Sequence, residues 1–129
     1  MIKTGILNPQ MLSLLARVRH TNALVIADRG FPFWPGIEVV DVSLVDNVPT
    51  VLQVLAAARA NHHFTQAYMA REFRKRNPIP VQRRFAGALR GVPTKFEAHI
   101  DFKKRVPNAI GLIRTGDTIQ YANVILVSG

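Results

Sequence analysis

Apolar residues recur along this chain with two different periods, and the switches between them give an expected order of elements. Asn8 is placed to cap a first helix and Pro9 suits its first turn. Leu12, Leu15 and Val18 then share one face with Leu14 beside them, so the helix is expected to run to about His20. Ala23-Leu24-Val25-Ile26-Ala27 follows as a short, almost wholly apolar run, the pattern of a strand covered on both faces, and Asp28 ends it. Pro32 and Pro35 keep residues 29–36 from forming a regular element, so Phe33 and Trp34 are carried on a connection, either at a pocket rim or plugging the core or a subunit contact. Residues 37–42 read as a second strand, and Pro49 opens a helix toward Ala60. Further helices are expected over 64–76 and 81–90, broken near Asn77-Pro78-Ile79-Pro80.

From Lys95 the period changes to two. Phe96, Ala98 and Ile100 fall on one side and Lys95, Glu97 and His99 on the other, which puts His99 at a strand end. A short helix over 101–105 has to stop before Pro107, residues 109–113 read as a strand, 115–118 as a turn and 123–127 as a last buried strand. The sum is an α/β fold, a single domain over 1–129, built as three α/β/α layers around a largely parallel or mixed sheet.

Composition narrows the function. At 129 residues and 48% hydrophobic, the chain has room for one core and no second domain. It has no cysteine, so disulfides and thiolate metal sites are excluded. Residues 1–20 lack the pattern of a signal peptide and no apolar run is long enough to span a bilayer, so the cytoplasm is the expected compartment. The net charge of +9 raises the question of nucleic acid. Most of the clustered cations, Arg71, Arg74, Lys75, Arg76, Arg83, Arg84 and Arg90, lie in helical stretches and fit a solvated face better than a phosphate-binding one. No nucleic-acid-binding motif accompanies them, so that partner is not expected.

The chemistry sits at strand ends, where open α/β sheets bind small polar ligands. His20 and Asp28 bracket the first strand and Tyr121-Ala122-Asn123 opens the last. A histidine in the last turn of a helix is suited to proton exchange near neutral pH; the alternative is a histidine that only caps carbonyls. Asp28 either orients such a ring or accepts sugar hydroxyls, or else is a plain turn aspartate. His62 and His63 are adjacent near a helix start, point apart and are assigned to the surface. His20, His99 and Asp28 contain the residue types of a two-histidine, one-carboxylate metal site, but their spacing does not require a metal. No phosphate loop or nucleophile elbow is present, and no cofactor is expected.

Gly5-Ile6-Leu7-Asn8, Leu15-Ala16-Arg17 with His20, and Leu24-Val25-Ile26-Ala27-Asp28 with Gly30-Phe31-Pro32 resemble the amino-terminal half of the D-ribose pyranase and L-fucose mutarotase family. His99-Ile100-Asp101-Phe102-Lys103, Ile113-Arg114-Thr115-Gly116-Asp117 and Tyr121-Ala122-Asn123-Val124-Ile125-Leu126 are similar to its carboxyl-terminal signature. Ala122 after the tyrosine looks more like the ribose branch than the fucose branch, where glycine commonly stands. The resemblance implies a cofactor-free isomerase that opens and recloses a sugar ring. His20 would transfer the proton, and Asp28, His99, Tyr121, Ala122 and Asn123 would bind the monosaccharide, D-ribose first among candidates. It also implies a homo-oligomeric ring such as a decamer, in which the carboxyl-terminal segment completes the site of a neighbouring subunit. The alternatives are an L-fucose-type mutarotase acting on another monosaccharide and a non-catalytic sugar-binding accessory protein.

Overall fold

In the computed structural model, which describes residues 1–129, six strands form one mixed sheet in the order β2-β5-β1-β6-β3-β4. These are β1 (Ala23–Ala27), β2 (Glu38–Asp41), β3 (Phe64–Ala70), β4 (Thr94–Glu97), β5 (Gly111–Arg114) and β6 (Val124–Ser128). Five run the same way; β6 alone is antiparallel, wedged between β1 and β3. One face of the sheet carries the larger core, to which α1 (Pro9–Arg17), α2 (Val51–Asn61), α3 (Arg71–Arg76) and α4 (Ile79–Ala88) contribute Leu14, Leu55, Phe73 and Phe85. On the other face Phe102 of α5 (His99–Arg105), Val106 and Phe31 close a smaller core over Val25, Leu112 and Ile125. The expected three-layer α/β fold is therefore present, with most of the helical mass on one side.

Helix starts are set by side chains. Asn8 Oδ1 accepts the Met11 N–H at 2.8 Å, with Pro9 behind it, as the sequence implies. The second helix begins at Val51 behind a Thr50–Gln53 capping box in place of a Pro49 start. Its first turn is also held from a distance: buried Asp117 accepts the N–H of Val51 at 2.9 Å and that of Ile119 at 2.8 Å.

Several sequence expectations fail here. Residues 64–70 form a strand, β3, where a helix over 64–76 is expected. A register shift between Phe64 and Gln66 puts buried Phe64 and Ala67 three apart, so a bulged strand mimics helical spacing until Met69 restores the alternation. Helix α1 ends at Arg17, before His20. Val18 turns extended into the core and Asn22 draws the chain into a turn, its Oδ1 accepting the Arg19 N–H and its own N–H bonding the Arg19 carbonyl. His20 thus lies in a turn, outside the helix dipole's last turn. His99 is likewise the first residue of α5, after β4 has ended at Glu97. The histidines at 62 and 63 follow the end of α2, and His62 is half-buried with Nε2 2.9 Å from Ser128 Oγ.

Because Asp117 satisfies two backbone donors in an environment closed to water, Asp117→Ala is expected to lower unfolding free energy by about 3 kcal/mol. Urea denaturation with an unchanged slope would record this; a loss below about 1 kcal/mol would mean that the α2 terminus finds other partners.

Candidate functional site

All five forward strands end at one edge of the sheet, and β6 begins there, so that edge gathers residues from distant parts of the chain. A cleft of about 350 Å³ opens at it, lined by Asp28, Gly30, Phe31, Pro32, His99, Gln120, Tyr121 and Asn123. Six of these eight are polar or glycine, the balance expected of a site for a hydroxyl-rich ligand.

Asp28 stands at the end of β1 on a built support. The Asn123 side chain accepts the Asp28 N–H at 2.8 Å and also hydrogen-bonds to its carboxylate; the Gly30 N–H donates to Asp28 Oδ1 at 3.0 Å. Behind it, Thr115 Oγ1 donates to the Ala27 carbonyl at 2.9 Å and the Arg29 N–H bonds the Asp117 carbonyl. Burial raises the Asp28 carboxyl above its ordinary range, against the lowering effect of the hydrogen bonds from Gly30, Asn123 and Phe31; nearby Asp117 adds to the rise.

His99 enters from the opposite wall. Its backbone N–H donates to both oxygens of Glu72, at 3.0 and 3.1 Å, which caps the short α5 with a carboxylate from α3. The ring packs edge-on to Tyr121 at 5.0 Å between centroids and to Phe31 at 6.3 Å, and stacks on Phe102. Its Nδ1 is buried without a protein partner. Burial lowers the His99 pKa below that of a free imidazole; Lys103 adds to this and Glu72 opposes it. The ring is therefore neutral at neutral pH. Tyr121 takes a left-handed backbone, φ 56°, and this turns its side chain toward the cleft while fully buried Ala122 packs into the larger core.

His20 is absent from this group. It is exposed in the turn before β1, while Asp28 follows β1, so the two sit at opposite edges of the sheet, separated by the five strand residues or about 16 Å. Within one chain His20 therefore lies apart from His99 and Asp28. Phe33 and Trp34 do not rim the cleft either: Trp34 stacks on Phe31 over the smaller core and Phe33 points to solvent, leaving Phe31 and Pro32 at the rim. Tyr121–Asn123 lies against Asp28 and His99 of its own chain, so the segment that the family resemblance assigns to a neighbour's site is already placed within one protomer. Sequence reasoning missed Glu72 and Gln120; nothing local marks Glu72, which acts 27 residues from its partner.

Residues 1–129 match the model of the RbsD / FucU transport protein family over the whole chain. The chain belongs to that family. Among its relatives, the D-ribose pyranases of Chromobacterium violaceum and Laribacter hongkongensis are 40% and 37% identical, each alignment covering 100% of this chain and 98% of the relative. A solved structure of Bacillus subtilis RbsD complexed with D-ribose superposes with a TM-score of 0.92 at 30% identity, covering 100% of this chain and 98% of that one. Within the family fold, the mixed six-stranded sheet is thus shared with a chain that holds a pentose.

The raised Asp28 carboxyl has a consequence for stability. A group that holds its proton more tightly when folded makes the protein lose stability as pH rises from the ordinary carboxylate pKa through the folded one. Asp28→Asn keeps the Gly30 contact and removes that burden, so its Tm at pH 7 is expected to equal or exceed the wild type's while sugar affinity falls. A lower Tm would show that the carboxylate is structural. His99 shifts oppositely and is expected to titrate below 6.5 by NMR, with its stability contribution lost as pH falls through that lower midpoint.

Proposed function

We propose that the protein is a D-ribose pyranase, which opens and recloses the sugar ring so that pyranose and furanose forms interconvert. The observation that carries this reading is the convergence of Asp28, His99, Tyr121 and Asn123 on one polar cleft, in a chain similar over its full length to a structure complexed with D-ribose. The reaction needs no cofactor. A proton leaves the anomeric hydroxyl while the ring oxygen gains one, the bond from the anomeric carbon to the ring oxygen breaks, and an open-chain aldehyde results. Closure through a different hydroxyl reverses the proton movements and gives the other ring size.

Asp28, supported by the Gly30 N–H and the Asn123 side chain, accepts hydrogen bonds from two ring hydroxyls. Neutral His99 and the Asn123 amide hold a third position, since buried polar groups of this kind reject sugars that leave them unpaired. Tyr121 supplies a hydroxyl contact and Ala122 contributes backbone only. The proton is carried by His20, and because the chain's own His20 lies at the far edge of the sheet, it is His20 of a second copy that enters the cleft. This makes the working unit a homo-oligomer, with a ring such as a decamer as the proposed form and the cytoplasm as its compartment. Exposed Phe33, Ile100, Leu44 and Val45 provide apolar surface for such packing, with Ile100 directly beside His99.

Saturation-transfer NMR on equilibrating D-ribose tests the activity. Exchange between ring forms is expected to accelerate, and His20→Ala to lose about 10² to 10⁴-fold of that acceleration with its fold intact. Unaltered exchange at high protein concentration would refute ribose as substrate, and a panel including L-fucose would then identify another. Binding without acceleration would favour the accessory-protein alternative. Shared sites have their own signature: inactive His20→Ala and His99→Ala chains, unfolded and refolded together, should recover up to about a quarter of wild-type activity. No recovery, with mixed oligomers demonstrated, would mean that each chain uses its own His20.

A further inference from the structure

On the α3–α4 side a second cavity of about 400 Å³ opens, sharing no lining residue with the sugar cleft. Its wall is apolar: Phe73, Phe85, Leu89 and Phe96 form the inner surface and exposed Ile79 stands at the mouth. Two guanidiniums also line it. Arg74 lies 3.8 Å over the Phe96 ring, and Arg83 is exposed on the first turns of α4.

The charge around this cavity is one-sided. Seven cations fall between Arg71 and Arg90 against a single acid, Glu72, whose carboxylate is occupied by the His99 N–H. None of the seven forms an ion pair, whereas Arg17, Arg29, Lys104, Arg105 and Arg114 elsewhere on the chain each do. A solvated helical face explains exposed arginines. It does not explain why two of the unpaired ones, Arg74 and Arg83, line an open cavity whose wall is otherwise mostly apolar.

We propose that this cavity binds a small amphipathic monoanion, a carboxylate or sulfonate on a compact apolar body. The apolar part fills the space between Phe85 and Phe96 and the anionic group meets Arg83 and Arg74. The planar forks of the two arginines suit a carboxylate, and Arg74 is held in place by its stack on Phe96. Tight packing of Phe73 on Phe85, 4.7 Å between centroids, gives the cavity a rigid floor.

Octanoate serves as the probe and octanol as its neutral counterpart, titrated into the wild-type protein by calorimetry and by NMR. Octanoate is expected to bind with saturable shifts at Leu89 and Val92, to bind at least about tenfold more tightly than octanol, and to weaken as salt rises. Arg83→Glu should lower its affinity by about tenfold or more and Ala86→Trp, which fills the cavity from the helix surface, should abolish it; neither is expected to slow sugar exchange. Equal binding of octanol, or indifference to Arg83→Glu, would overturn the assignment by showing apolar filling alone. No binding to the wild type, with the cavity covered by a second copy in the assembly, would overturn it as well.

Discussion

The hydrogen bond from the Asp28 N–H to Asn123 Oδ1 joins positions 95 residues apart and fixes the relation between the end of β1 and the start of β6. An antiparallel strand inserted among parallel ones brings its beginning to the edge where the others finish, which is where open α/β sheets keep their ligands. The same amide that stitches the two strands also faces the cleft and holds the carboxylate. Structure and binding therefore draw on one side chain. The turn at 115–117 buttresses this junction through Thr115 on the Ala27 carbonyl and Asp117 on α2, so the site rests on buried, satisfied polar groups.

The two titrating groups in the cleft are displaced in opposite directions by the same cause. Burial penalises charge, so Asp28 is pushed up and His99 down, while donors to Asp28 and the Glu72 carboxylate near His99 pull each back in part. A cleft so arranged offers a supported acceptor facing a neutral ring, well suited to holding hydroxyls. The proposed proton carrier, His20, stands outside this group, on the exposed turn before β1.

Much of this was legible in the sequence. Asn8-Pro9 announced α1 correctly, and the apolar run at 23–27 announced β1, because capping and two-sided burial leave local marks. Asp28, His99, Tyr121 and Asn123 stand out in the sequence as polar residues at strand ends, and they share one cleft. What failed depended on contacts between distant segments. The bulge in β3 imitates a helical repeat, and only pairing with β6 and β4 reveals the strand. The early end of α1 depends on Asn22 competing for backbone groups, and Glu72 finds His99 only after β3 and β4 are aligned. The sequence order of His20 and Asp28 suggested neighbours, yet a strand between two residues separates them by its whole length.

The chain contains no cysteine, so a single Arg19→Cys substitution accepts a spin label beside His20 without other changes. Labelled protein is co-assembled with isotope-enriched, unlabelled wild type, and intermolecular line broadening is read at backbone amides of the enriched chain. The proposed entry of one copy's turn into the next copy's cleft predicts strong broadening at Gly30, His99 and Tyr121. Sharp signals at all three, in a sample shown to contain mixed oligomers, would contradict it.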